Sequence, residues 1–309
     1  RGDNFPSEFY GNYFNAEPAG NIVHRSIITE EDGILRGHSA YEIREFLSSN
    51  DERFRPVNVY TAPDGTLYVV DLHRGILQHR QYMTSYLRRQ IIERGLDKGL
   101  GYGRIYRIVH ESKKPGPPPA LDQASPSQLL EALSHPNGWW RDTAQRLLVE
   151  RGDKSVAPRL RELALSPDAG EAVRLKALWT LEGVGAIDPE TIAEVMEDSS
   201  PKLRSNGIRL SEPFLAAKHA VLTGQALRHA RDPSREVRLQ LALSLGVATA
   251  PVRDSTLSDL LHDDADAPFL IAAAVSSLPG KELPFLEQLL RSPDWRDSRA
   301  GFEYVFQML

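Results

Sequence analysis

The run Ser112-Lys113-Lys114-Pro115-Gly116-Pro117-Pro118-Pro119 divides the chain into two halves with different sequence periods. Proline has no N–H to donate and fixes its own φ, so this run favours an extended, polyproline-like conformation. Short runs of β-branched and aromatic residues precede it, whereas helical periodicity follows it. We therefore predict a β domain at 1–111, a Pro-rich linker at 112–125 and an α-helical domain at 126–309.

The clearest β signal before the linker is a hairpin. Two alternating runs, Pro56–Tyr60 and Leu67–Asp71, flank the turn Pro63-Asp64-Gly65. Proline presets φ, aspartate bonds the backbone ahead of it, and glycine supplies positive φ, a combination that favours a tight turn. A further strand is predicted at 103–109, after a charged, helix-permissive insertion at 82–100. Small antiparallel sheets in succession are typical of a β-propeller, and this part has room for about two blades.

The helical half contains a repeat. Turns rich in proline or aspartate recur at 135–138, 166–168, 198–201, 231–234, 263–264 and 292–294. An arginine follows each of the first four turns, at intervals of 30 to 34 residues: Arg141, Arg174, Arg204 and Arg238. Helix pairs of this length cannot bury their apolar faces alone and must stack. The pattern predicts an α-solenoid of about six helix pairs and resembles bacterial HEAT repeats, in which Val-Arg opens the second helix of a pair.

Composition excludes several kinds of site. The 309 residues include no cysteine, so they form no disulfide, thiolate metal site or covalently attached haem. The net charge of −5 argues against a nucleic-acid partner. The longest apolar run, Phe269–Val275, is far shorter than the roughly 20 residues of a membrane-spanning helix. Because the sequence starts at Arg1 without a signal-peptide pattern and stops within the apolar run Phe306–Leu309, we interpret it as part of a longer protein.

Three stretches together resemble a bacterial family. They are Phe54–Asp71, Gly103–Arg107 and, beyond the linker, Leu133–Asp142. Their order is similar to that in the large PVC-type bacterial membrane-bound dehydrogenases, or haem-binding proteins. The resemblance implies a propeller like that of sugar and sorbosone dehydrogenases, then HEAT repeats and commonly a c-type cytochrome domain with a Cys-x-x-Cys-His motif, which these residues lack. It also implies a periplasmic or otherwise extracytoplasmic redox protein that oxidises a sugar or alcohol. Its electrons would pass to pyrroloquinoline quinone or haem held on other segments.

The loops of a propeller meet at one mouth, which defines a candidate site. By the strand prediction, loop 49–55 enters the innermost strand, loop 71–75 joins the second strand to the third, and loop 17–21 holds the equivalent position in the preceding blade. A quinone-dependent dehydrogenase needs a base and cations that hold the acidic cofactor. The candidates are His73 as catalytic base and, as cofactor-binding residues, Arg55, Arg74, Asp71, Glu17 and Asn21.

A structural role explains the same residues as well. Asp71 would cap its own turn, Arg55 would pair with Asp51, and His73 and Arg74 would lie in a solvated loop. The corresponding functional alternative is non-catalytic. In it, the blades bind glycan and the HEAT solenoid is a scaffold for a protein partner or a cytochrome domain.

Three other motifs are assigned structural roles. His73 and His79 have metal-binding side chains but stand about 20 Å apart on an extended chain, so we predict no metal site. The acidic segment Asp263–Asp266 lacks the pattern of a calcium loop and is expected to cap a helix. The pair Trp139-Trp140 is expected to pack in the core, and the glycines of Gly99–Arg104 are expected to form a flexible turn rather than a phosphate loop.

Overall fold

The computed structural model describes residues 2–31, 33–263 and 268–291, which belong to two compact units. The first unit holds the β-strands and extends to residue 147, and the second consists of the helices that follow. The order of a β part followed by an α part is therefore confirmed. The predicted turns at 263–264 and 292–294, the acidic segment Asp263–Asp266 and the end at 306–309 lie wholly or partly outside the described residues.

The first unit begins with a four-stranded sheet built around one long central strand. Its strands are β1 (Tyr13–Glu17), β2 (Ile22–Glu31), β3 (Ile34–Ser39) and β4 (Leu47–Ser48). β2 pairs with the other three, antiparallel to β1 and β4. The buried Arg25 of β2 donates hydrogen bonds to Asn12 Oδ1 at 2.6 Å and to the carbonyl of Glu8 at 2.7 Å. These bonds attach the segment before β1 to the sheet.

The second sheet is an antiparallel meander that contains the predicted hairpin. Its strands are β5 (Pro56–Thr61), β6 (Leu67–Asp71) and β7 (Arg104–Ile108), with β6 in the middle. At the hairpin turn Gly65 has a φ of 84°, and Asp64 Oδ1 accepts hydrogen bonds from the N–H and hydroxyl of Thr66 at 3.1 and 2.6 Å. The turn chemistry read from the sequence is therefore confirmed. Between β6 and β7 the insertion forms helix α1 (Ser85–Glu93), which is N-capped by Thr84.

Both sheets have the antiparallel strand pairing of small β units. β3 and β4 were not predicted, because their sequences show little alternation. Among the described residues the two sheets do not close into a ring or barrel. The fold established here is thus two successive antiparallel sheets followed by helices.

The Pro-rich segment is attached to the second sheet rather than extended free of it. The N–H of Gly116 donates to the carbonyl of Asp64 in the hairpin turn at 2.8 Å. Near the start of the Pro-rich segment, the carbonyl of Lys113 accepts a hydrogen bond from Asn4 Nδ2 at 2.9 Å. The segment therefore belongs to the first unit.

Helix α2 (Pro126–Ala132) and most of α3 (Gly138–Arg151) also belong to the first unit. Asn137 Nδ2 donates to the carbonyl of Ala62 at 3.0 Å, and Trp140 Nε1 donates to the carbonyl of Pro63 at 2.8 Å. Because these side chains bond to the hairpin turn, the unit extends to residue 147, beyond the predicted boundary at 111. Trp140 packs against the β part, as expected from the sequence.

The second unit is a row of helices. They are α4 (Ala157–Leu165), α5 (Glu171–Gly183), α6 (Pro189–Met196), α7 (Pro201–Leu210), α8 (Glu212–Ala216), α9 (Ala220–Arg228), α10 (Arg235–Ser244), α11 (Ala250–Asp263), α12 (Pro268–Ser276) and α13 (Glu282–Leu290). α4 packs on α5 and α6 on α7, while α5, α7, α10 and α12 each contact the next in that order. This successive packing confirms a helical-repeat architecture. No helix in the described ranges is long and apolar enough to cross a membrane.

Two of the four repeat arginines, Arg174 and Arg204, connect one turn to the next. Arg204 Nη1 donates to the carbonyls of Asp198 and Ser199 in the preceding turn at 2.8 and 3.0 Å. Its Nε and Nη2 donate to the two carboxylate oxygens of Asp232 in the following turn, each at 2.8 Å. Arg174 forms the equivalent ion pair with Asp198. The predicted repeat spacing thus corresponds to a ladder of arginine–aspartate pairs.

This ladder predicts acid sensitivity of the helical unit. Burial alone would raise the pKa of Asp198 and of Asp232, but hydrogen bonds from Arg174 or Arg204 and from serine N–H groups together outweigh it and lower both pKa values. An aspartate with a lowered folded-state pKa stabilises the fold above its unfolded pKa of about 3.9, and this stabilisation is lost as pH falls through the folded value. We expect the urea midpoint followed by circular dichroism to fall between pH 5 and pH 3, and to fall less in Asp232→Asn. An equal decline in both proteins would contradict this assignment.

Candidate functional site

The three loops predicted to share one mouth meet in the first unit, and Arg55 joins two of them. Its Nη1 donates to the carbonyl of Pro18 at 2.7 Å, while Nε and Nη2 donate to the carbonyls of Arg74 and Gly75 at 3.1 and 3.3 Å. The guanidinium thus bonds to backbone oxygens. The structural alternative predicted a pair between Arg55 and Asp51, and the guanidinium does not form that pair. Arg55 therefore positions loops 17–21 and 71–75.

Asp71 holds the loop that follows β6. It is 1% exposed, and its Oδ1 accepts hydrogen bonds from the N–H groups of Arg55 and His73, each at 2.7 Å. Its Oδ2 lies 3.1 Å from His73 Nδ1. Asp71 therefore caps its own turn, as the structural alternative predicted.

His73 is buried rather than solvated, which corrects the prediction of a solvent-exposed loop position. Its φ of 48° is uncommon for a residue with a side chain, and the bonds from Asp71 maintain it. The other ring nitrogen, Nε2, lies 4.0 Å from Asp51 Oδ2. The ring is thus oriented by one buried carboxylate and faces a second, more exposed one.

Two of the remaining three candidates, Asn21 and Glu17, support the loops in which they lie. Asn21, with a φ of 59°, donates from Nδ2 to the carbonyl of Phe54 at 2.5 Å. Glu17 Oε1 accepts a hydrogen bond from the N–H of Ala19 at 2.9 Å. Both side chains therefore have structural roles at the mouth.

Arg74 lines a different feature, a cleft of about 580 Å³ between segments 74–79 and 96–100. Its side chain is exposed and, within the described ranges, makes no hydrogen bond or ion pair. Polar and apolar groups share the walls of the cleft, which include Arg74, Gln78, His79, Asp97 and Lys98 on the polar side and Leu77, Met83, Leu96 and Leu100 on the apolar side. A volume of a few hundred cubic ångströms with mixed lining is typical of small-molecule sites.

The two walls of the cleft touch at Gly75. A Cβ atom on this residue would stand 2.6 Å from both Cβ and the carbonyl oxygen of Leu96. Only glycine allows this approach, so Gly75 is what lets the two segments that line the cleft come into contact. Gly99 and Gly101, with φ of 85° and 83°, form the turn expected from the sequence, and Gly99 lies in the cleft wall.

Two exposed tyrosines adjoin the cleft. Tyr82 is 72% exposed and its ring packs edge-on against His79 with centroids 6.0 Å apart. Tyr102 is 60% exposed, and its ring lies 3.4 Å from the position a Cβ on Gly99 would take. His79 and Gly99 line the cleft, so each ring lies next to one of its lining residues.

The sequence analysis identified Arg74 but missed the other cleft residues. His79 was considered only as a metal ligand, and no group of three or more acidic or histidine side chains in the described part of the chain could hold a metal ion. A signal was present in the three tyrosines Tyr82, Tyr86 and Tyr102, which lie between the predicted strands at 67–71 and 103–109. Aromatic residues left exposed in an insertion are candidates for binding.

Comparison with known proteins finds that the first part of the chain is similar to a family of unknown function. Residues 1–112 match the family described as Domain of unknown function (DUF7133). No curated protein matches the chain. Among solved structures, the chain is similar to a designed armadillo repeat protein in complex with peptide (KR)4. The two are 14% identical with a TM-score of 0.33, over 59% of this chain and 100% of that one.

Proposed function

We propose that this chain is the ligand-binding end and scaffold of an extracytoplasmic propeller–HEAT protein. In this proposal the two sheets are blades of a β-propeller, the cleft binds a carbohydrate, and the helical repeats hold a protein partner or a cytochrome domain. The observation that carries it is the 580 Å³ cleft, with the exposed rings of Tyr82 and Tyr102 next to its lining residues His79 and Gly99. The propeller and the extracytoplasmic location rest on the sequence resemblance.

The chemistry of the cleft suits a sugar. A sugar ring has apolar C–H faces, which pack on aromatic rings, and hydroxyl groups, which need hydrogen-bond partners. Tyr82 and Tyr102 provide exposed rings, while Gln78, His79 and Asp97 provide donors and acceptors. The cleft therefore offers both kinds of contact.

The helical unit suits a scaffold. Its helices α5, α7, α10 and α12 form a continuous row, and such rows present extended surfaces to other proteins. The arginine–aspartate pairs link successive turns of the row. In this proposal the helical unit holds the partner or the cytochrome domain, while the first unit binds the sugar.

The second candidate function is a sugar or alcohol dehydrogenase, and the Asp71–His73 pair favours it. A buried carboxylate that fixes an imidazole through Nδ1 leaves Nε2 as a general base. The chain has no cysteine for covalent haem, and of the two arginines expected to hold an acidic quinone, Arg55 is bonded to backbone carbonyls. Under this candidate, the parent protein reduces an artificial electron acceptor when sugar is added, and His73→Gln abolishes the reduction.

Sugar binding is tested by saturation-transfer NMR on the full chain with glucose, galactose and their uronates. We expect Tyr102→Ala and Tyr82→Ala each to weaken binding about fivefold, because a stacked aromatic pair contributes roughly 1 kcal/mol. Tyr13→Ala is the matched control, since Tyr13 is 57% exposed on β1, outside the cleft. Unchanged binding in both cleft variants, or no binding of any sugar, would contradict the proposal.

A further inference from the structure

We infer that the ligand of the cleft is an acidic sugar, a uronate, whose carboxylate is bound by Arg74 and Lys98. This inference rests on the proposed carbohydrate-binding function and specifies its substrate class. The charge of the cleft walls is the evidence for the uronate, whereas the tyrosines are the evidence for a sugar.

Two cations line the cleft, one on each of its two segments. Arg74 lies on the 74–79 wall and Lys98 on the 96–100 wall. Within residues 2–31, 33–263 and 268–291, neither side chain has a hydrogen bond or ion pair. Two other exposed arginines of this unit pair with carboxylates, Arg94 with Glu52 and Arg107 with Asp64. Among the residues that the structure describes, Arg74 and Lys98 lack such a partner and are available to an anionic group of a ligand.

The remaining titratable side chains of the cleft are Asp97 and His79. The two cations and the one carboxylate together leave a single net positive charge on the walls, not counting His79. That charge matches one carboxylate on the ligand. Asp97 is then free to accept hydrogen bonds from sugar hydroxyls. A second anionic group on the ligand would prevent this, because it would repel the carboxylate.

A carboxylate fits these cations better than a phosphate does. The planar guanidinium of Arg74 forms paired hydrogen bonds to both oxygens of a carboxylate, and Lys98 adds a point charge. A dianionic phosphate carries one negative charge more than the single net positive charge of the walls balances. The apolar side chains Leu77, Met83 and Leu96 favour an organic ring over an inorganic ion.

Isothermal titration of the full chain in 0.15 M NaCl tests this, with sodium glucuronate, glucose and inorganic phosphate as probes. We expect glucuronate to bind at least tenfold more tightly than glucose, equivalent to about 1.4 kcal/mol. The double variant Arg74→Gln/Lys98→Gln removes this preference, so that it binds glucuronate and glucose with equal affinity. The control Arg36→Gln/Lys114→Gln removes two exposed cations outside the cleft and retains the preference.

The outcomes separate the two claims. Equal binding of glucuronate and glucose would overturn the uronate assignment and leave carbohydrate binding intact. Phosphate binding as tight as glucuronate would show a general anion site and also overturn the assignment. If neither sugar binds, the proposed function fails and the inference fails with it.

Discussion

Asp232→Ala is expected to lower the free energy of unfolding of the helical unit by about 4 kcal/mol, because it leaves a buried arginine without its counterion. The carboxylate is 4% exposed and accepts two hydrogen bonds from Arg204 at 2.8 Å and one from the N–H of Ser234 at 2.9 Å. His229 Nδ1 lies 3.0 Å from it as well. Urea unfolding followed by circular dichroism at 222 nm measures the loss.

The control for this variant is an exposed ion pair on the same unit. Arg159 and Glu162 pair with side chains more than half exposed, so Glu162→Ala is expected to change stability by less than about 0.5 kcal/mol. Replacing both partners with apolar residues, as in Arg204→Met/Asp232→Leu, should recover much of the loss, because neither charge is left buried. A loss below about 1 kcal/mol for Asp232→Ala would contradict the arginine–aspartate ladder as the link between repeats.

Asp71→Ala is expected to open the loop cluster of the first unit, at a cost of about 3 kcal/mol. It leaves the N–H groups of Arg55 and His73 buried without an acceptor, and each such group costs about 1–3 kcal/mol. It also removes the support for the positive φ of His73. Hydrogen exchange measured by NMR should show these two amides exchanging roughly a hundredfold faster.

The cleft shares this loop, so Asp71→Ala should weaken sugar binding as well. Arg74 and Gly75 form one wall of the cleft and follow directly after the residues that Asp71 holds. Glu42→Gln is the matched control, since Glu42 is an exposed carboxylate of the same unit that lies outside the cleft. Native exchange rates at Arg55 and His73 in Asp71→Ala would show that the loop is held by other contacts.

Much of the fold was predictable because its signals are local. The hairpin followed from Pro63-Asp64-Gly65, whose conformational preferences do not depend on distant residues. The helical repeat followed from arginines at regular spacing, and the structure explains the spacing, since Arg204 must reach both its own turn and Asp232. The sequence did not identify the aspartate partners, because an ion pair between repeats depends on how the helices stack.

The candidate site was predictable only in part. The meeting of loops 17–21, 49–55 and 71–75 followed from strand order, but the donors of Arg55 reach backbone carbonyls, which carry no side-chain signal. The cleft depends on the approach of Gly75 to Leu96, two residues separated by α1. No periodicity in the sequence reports such a contact between segments of an insertion.

A crystal structure of the full chain with sodium glucuronate tests the central claim most directly. The account predicts the sugar in the cleft between segments 74–79 and 96–100, with its ring against Tyr82 or Tyr102 and its carboxylate on Arg74 and Lys98. A sugar bound against His73, or anywhere outside the cleft while titration shows binding in solution, would contradict it.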